Sequence, residues 1–158
     1  MIRVQREDFD PGAELALMTA GRGDIGGVVS FTGLVREMVG REPIAAMTLE
    51  HYAGMTEKQL AAIEAEAHAR WPLSASLIIH RFGRLEPGAR IVFVACASPH
   101  RDAAFDACRF LIDWLKTRAP FWKLEEKSSG AAWVEARASD DAAADRWQPR
   151  PAKPRAAE

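Results

Sequence analysis

Two cysteines, one tyrosine and a net charge near zero are what this 158-residue chain has little of. Cys96 and Cys108 are too few for a disulfide framework, and each lies in an apolar run, where a reduced and buried thiol is the expected state. A reducing compartment fits that state. No stretch approaches the ~18 apolar residues of a membrane span, and residues 1–8 (MIRVQRED) hold no apolar signal core, so the sequence reads as cytosolic. Lys and Arg number 21 against 22 Asp and Glu, a net charge of -1, so no global field draws the chain to nucleic acid or an anionic membrane. Four histidines at 51, 68, 80 and 100 show no zinc-ligand spacing, which argues against a metal site. What remains is 48% hydrophobic and 27% charged, the balance of a globular protein. At this length one domain buries roughly 70% of its unfolded surface.

Asp10-Pro11 starts a short helix that runs to about Ala20. Gly26 to Thr32 reads as a strand, Val35 to Pro43 as a mobile loop carrying Arg36 and Arg41, and Ile44 to Tyr52 as a second strand. Thr56 with Gln59 reads as a capping box for a helix burying Leu60, Ile63, Ala67 and Trp71, which Pro72 stops. Leu77 to Phe82 and Ile91 to Ala97 are apolar enough for central strands. Ser98-Pro99 opens another helix, with Phe105, Cys108, Ile112 and Leu115 as its expected buried stripe. Phe121 to Glu126 and Ala132 to Ala136 flank Lys127-Ser128-Ser129-Gly130 as a terminal hairpin. Asp140 to Trp147 reads as one or two helical turns, and 148–158, with three prolines and no periodicity, as a disordered tail. The order αββαββαββ predicts one α+β domain over 1–147: a largely antiparallel sheet, packed helices and a C-terminal hairpin.

Chemistry concentrates in two places. At His100-Arg101 the free N–H groups and positive end of a helix coincide with an imidazole and a guanidinium, a local anion site. At the helix's other end, Lys116 precedes a turn stopped by Pro120. The following strand alternates, with Phe121, Lys123 and Glu125 on one face and Trp122 and Leu124, expected to pack inward, on the other. Amines held close to further cations suit nucleophilic or proton-transfer work near neutral pH. Lys116 alone, beside Asp113, would be an ordinary solvated pair.

The blocks Val28 to Arg36 (VVSFTGLVR), Thr48 to Thr56 (TLEHYAGMT), His80 to Gly88 (HRFGRLEPG), Ser98 to Phe105 (SPHRDAAF), Asp113 to Glu125 (DWLKTRAPFWKLE) and Trp133 to Arg137 (WVEAR) are spread over roughly 24–147 of the chain. In order and spacing it resembles the family of large, catalytic subunits of molybdopterin synthase. The resemblance implies an α/β-hammerhead-like fold and a sulfurtransferase. Such an enzyme converts cyclic pyranopterin monophosphate (precursor Z) to molybdopterin by installing the dithiolene of the molybdenum cofactor. It also implies a small ubiquitin-like partner whose C-terminal Gly-Gly thiocarboxylate brings the sulfur, and a central homodimer within a heterotetramer. Lys116 is then placed beside the inserted tail and Lys123 is the second catalytic lysine. Arg36, His100, Arg101 and Glu125 line the substrate pocket, with Arg137 a further basic position, and no metal or redox cofactor is implied. Leu34 and Leu124 stand where basic residues are common in the family, which lowers the expected local charge.

Arg101 and Lys116 lie fifteen residues apart on one helix, ~22 Å, so one copy of the chain does not close both on one reacting atom. Either the pocket is elongated or the site is composite, and a site shared across a two-fold dimer is the hypothesis taken. The alternative from another class is a noncatalytic module that binds a phosphorylated metabolite or a partner's tail through the same residues.

Overall fold

In the computed structural model, which describes residues 1–39, 42–134 and 146–147, the chain runs β1 (Ile2–Gln5), α1 (Pro11–Thr19), β2 (Gly27–Leu34), β3 (Met38–Val39), β4 (Glu42–His51) and α2 (Met55–Arg70). It continues through β5 (Ala75–Arg81), β6 (Gly83–Leu85), β7 (Arg90–Ser98), α3 (Arg101–Thr117), β8 (Phe121–Lys127) and β9 (Gly130–Trp133). The α+β reading holds, with two antiparallel-rich sheets where one was expected. The first has order β1-β5-β7-β2; the second has order β3-β4-β8-β9, with β6 also paired to β4.

Alternation along β5 and β7 builds the first sheet's two cores. Ile78 lies opposite Val94 and Ser76 opposite Cys96. This face packs under α2 and α3 with Ile63, Ala67, Ala107, Phe110 and Leu111. Leu77, Ile79, Phe93 and Ala95 face the other way and are covered by Phe9 and α1's Leu15 and Met18. Phe93, Ile78, Ile79 and Leu111 are fully buried, each stabilising the fold by about 1.5–3 kcal/mol relative to exposure. The second sheet closes over Val35, Met47, Leu49 and Leu85.

Asp10 caps α1 as expected, its carboxylate accepting the N–H groups of Gly12 and Ala13. For α2 the expected cap is displaced: the N-cap is Gly54, whose φ of 82° suits glycine, and the Glu57 carboxylate accepts its N–H. Thr56 is buried instead. Likewise α3 has His100 as its N-cap, while Ser98 ends β7 and its hydroxyl accepts the His100 N–H. Phe105, assigned above to the buried stripe of α3, is 61% exposed. The buried stripe is Ala103, Ala104, Ala107, Cys108, Phe110 and Leu111, so small residues let the helix sit close to the sheet.

Three short strands lie where none was expected. β1 pairs in parallel with β5, β3 forms in the segment read as a loop, and β6 leaves the β5–β7 connection to pair with β4. Its Gly83 sits at φ +89°, a left-handed conformation that favours glycine, and an added side chain there would have to displace the end of the Arg6 side chain. The hairpin of β8 and β9 turns at Ser128-Ser129 as expected. Arg41, Arg137, most of the Asp140 to Trp147 segment and the 148–158 tail lie outside the described residues.

Candidate active site

The second sheet fixes the lysine end of the site. β4 and β8 pair so that His51 lies opposite Phe121, Leu49 opposite Lys123 and Met47 opposite Glu125. Directly opposed residues share a face, so Phe121, Lys123 and Glu125 look to the side that holds Met47 and Leu49. The expected inward packing of Trp122 and Leu124 is therefore corrected. Trp122 is 43% exposed and meets Tyr52 edge-on on the outer face, and Leu124 lies opposite the exposed Trp133. A lysine in place of Leu124 would point away from Lys123, so this departure from the family pattern leaves the lysine face unaltered.

Lys116 is exposed in the last turn of α3, and Lys123 is half-buried on β8. Both ammonium charges reach one buried ring, His80 at the end of β5. His80 stacks flat on Phe121, centroids 3.6 Å apart and planes 12° apart. His51 packs against Phe82 at 4.5 Å and Phe121 at 6.0 Å, and its Nδ1 is buried with no hydrogen-bond partner among the described residues. Glu125 is buried and pairs with Lys127 at 3.0 Å. Arg36, exposed, follows β2 at the end where Val35 bonds to Ala89 and Leu34 lies opposite Arg90. That is where β7 starts. α3 returns over β7, with the Cys108 Sγ 3.9 Å from the Val94 carbonyl oxygen, and so brings Lys116 back to the same end.

His100 and Arg101 stand at the opposite end of α3. Both are exposed, and the Arg101 guanidinium lies 3.6 Å from the Asp102 carboxylate, an ion pair in full solvent that contributes little. The fold thus puts Lys116 and Arg36 toward the end of the first sheet where β7 starts, sets Lys123 and Glu125 on one face of β8, and leaves His100 and Arg101 ~22 Å from Lys116 along the helix. His51 and His80 escaped the reading of the sequence. Their one signal there was a histidine inside the apolar run LIIHRF, which marks burial but not a stacking partner.

Burial pushes the His80 imidazole down to about 3, opposed by the Nδ1 bond to the Arg81 carbonyl and helped by the charges of Lys123, His51 and Lys116. The ring is therefore neutral at working pH. Between the ordinary value of 6.5 and about 3, the unfolded chain binds a proton that the folded chain does not. Stability from this group is complete above pH 6.5 and is lost as pH falls toward about 3. Near pH 5 the expected loss is about 2 kcal/mol relative to neutral pH. Denaturant titrations at both pH values, with wild type and His80→Phe, measure it; the variant lacks this component of the acid sensitivity.

Cys96 and Cys108 are both buried, unbridged thiols. Hydrogen bonding to Cys108 and burial push the Cys96 thiol up, which keeps it protonated and inert as a core group. Among the described residues no group of three or more His, Cys, Asp and Glu is placed to hold a metal ion, and no helix is long and apolar enough to cross a membrane.

Comparison with known proteins shows the family. Residues 4–118 match the family model for MoaE protein. A curated molybdopterin synthase catalytic subunit of Pseudomonas aeruginosa is 58% identical over 147 residues, covering 93% of this chain and 98% of that one. The solved molybdopterin biosynthesis MoaE protein of Burkholderia ambifaria superposes with a TM-score of 0.80 at 50% identity, covering 93% of this chain and 97% of the other. A chain from a Helicobacter pylori protein–protein complex of subunits 1 and 2 of molybdopterin-converting factor has a TM-score of 0.72 at 17% identity, over 86% and 91% of the two chains, a likeness of fold. The chain therefore belongs to the MoaE family, the molybdopterin synthase catalytic subunits, enzymes of molybdenum cofactor biosynthesis.

Proposed function

We propose that the chain moves sulfur from the thiocarboxylated C-terminus of a small ubiquitin-like subunit to cyclic pyranopterin monophosphate, forming the dithiolene of molybdopterin. The observation that carries this reading is the placement of Lys116, in the last turn of α3, and Lys123, the third residue of β8, on either side of one short turn, at the end of the fold that also holds Arg36. Each transfer breaks a thiocarboxylate C–S bond and replaces a C–O bond of the pterin side chain with a C–S bond, the displaced oxygen leaving as water or, where the cyclic phosphate opens, staying on the phosphate. The tail is left as a carboxylate once water supplies the oxygen. Charge develops on the tetrahedral carbon's substituents during this exchange, and ammonium groups in a partly dry site stabilise it while donating or taking protons.

In this reading Lys116 and Lys123 are catalytic, and Arg36, His100, Arg101, Glu125 and Arg137 bind substrate. The anion end at His100-Arg101 suits the phosphate. Because one copy holds it ~22 Å from the lysines, the anion end of one subunit serves the lysine end of another across a two-fold axis. The partner subunit then docks at each end of a central dimer. The complex of two subunits described for the H. pylori relative of this fold supports a partner of that kind. A reducing cytosol suits both a thiocarboxylate and two unbridged thiols.

Mixing this protein with a thiocarboxylated small subunit and the cyclic monophosphate tests the reading. Dithiolene product is the expected result. Tight binding of both with no turnover would replace it with the noncatalytic module.

A further inference from the structure

The relation between the two lysines depends on a short turn. Lys116 lies in the last turn of α3 and Lys123 is the third residue of β8; between the two elements the chain passes Arg118, Ala119 and Pro120, with the Phe121 N–H donating to the Ala119 carbonyl at 2.8 Å. Phe121, the first strand residue, is held to the second sheet by its pairing with His51 on β4. Phe121 touches a ring from the other sheet: His80, 5% exposed, stacked at 3.6 Å. His80 is itself clamped by the Nδ1 bond to the Arg81 carbonyl at 2.9 Å and by its place in β5 between β1 and β7.

We infer that His80 is a positioning residue of the sulfur-transfer site, a flat ring from the first sheet that sets, through Phe121, where Lys123 stands relative to Lys116. This rests on the reading above, in which those lysines are catalytic. A ring of any chemistry stacks, but the position tolerates no added charge. Lys123 on β8, Lys116 on α3 and His51 on β4 all bear on it, and a cation at position 80 would repel the two ammonium groups and favour their neutral form. An imidazole kept neutral by burial gives a rigid planar support without a third ammonium nearby. Misplacement of a reacting group by about 1 Å costs on the order of 10²-fold in rate. The stack therefore acts on turnover and leaves affinity for the pterin or the partner's tail nearly unchanged.

Loss of stability accompanies truncation of any buried ring and decides nothing here; the split between kcat and KM does. In the reconstituted synthase, His80→Ala is expected to lower kcat by about 10- to 100-fold with KM changed less than about threefold, and His80→Phe to restore kcat to within about threefold of wild type. Phe121→Leu, which removes the partner ring, is expected to reproduce the loss, and combining it with His80→Ala to add nothing. Phe121→Leu carries the test if His80→Ala does not fold. Wild-type kcat in either variant, or His80→Phe as slow as His80→Ala, overturns the inference.

A readout without sulfur chemistry separates this inference from the reading it rests on. The rate at which acetyl N-hydroxysuccinimide modifies Lys123, followed by mass spectrometry, is expected to change at least about threefold in His80→Ala or Phe121→Leu and to return in His80→Phe. Unchanged labelling overturns the inference even in an active enzyme. A wild type without dithiolene product but with this labelling pattern overturns only the sulfur-transfer reading.

Discussion

Alanine at position 123 is expected to lower dithiolene formation by about 10²- to 10⁴-fold, the range associated with loss of a positioned acid or base. The fold should survive it. Lys123 is only half-buried, and the pairing of Leu49 with position 123 runs through the backbone, so the β4–β8 ladder does not need the amine. Lys116→Ala, on the exposed side of α3, is expected to change stability by less than about 0.5 kcal/mol and to give a comparable loss of turnover. Lys123→Arg separates two contributions: guanidinium keeps the charge but does not deprotonate at working pH. Retained activity in Lys123→Arg would point to charge stabilisation, and a loss as deep as that of the alanine variant would point to proton transfer. Single-turnover product formation with a saturating thiocarboxylated partner is the measurement. Wild-type rates in folded Lys116→Ala and Lys123→Ala would remove both residues from the catalytic assignment.

The second large effect comes from subunit mixing. Lys116→Ala and Arg101→Ala homodimers are each expected to be nearly inactive, because every shared site in them lacks one component. A mixed dimer concentrates both lesions in one site and leaves the other intact. Random reassortment makes half of the dimers mixed, each with one of its two sites whole, so about one quarter of wild-type activity should return. Refolding or prolonged co-incubation of the two variants, followed by the product assay, reads this directly. No recovery in dimers verified as mixed by mass would show that one chain supplies both ends.

How much of this was legible beforehand divides along physical lines. The first sheet's strands and helices were readable because Leu77 to Phe82, Ile91 to Ala97 and the Leu60, Ile63, Ala67 series carry periodic burial. β1, β3 and β6 were not, being two to four residues long, shorter than any periodicity. β1 and β6 pair with strands far away in sequence, and β3 is a two-residue arm folded against the start of β4. Alternation along β8 was read correctly, but its inward side was reversed. Tryptophan and leucine outweigh lysine and glutamate on any transfer scale, yet here the apolar residues lie on the open face while Glu125 is buried with Lys127. Where a strand lines a polar site, that hydrophobic rule inverts. Lys116, Lys123 and Arg36 were identified through the family pattern. His51 and His80 were not, because a stack between two sheets is a tertiary fact with no local trace.

The path of β6 has a consequence for how the molecule comes apart. Between β5 and β7 of one sheet the chain crosses to bond with β4 of the other and returns, with Gly83 opposite Leu49 and Leu85 opposite Met47. The lysine-bearing sheet is thereby stitched into the scaffold from both strands that flank its thread. Opening it breaks the β4–β6 pairing held by the connection between its neighbour's two central strands, so heating should melt both sheets in a single cooperative transition, with no stable intermediate in which the scaffold outlives the site.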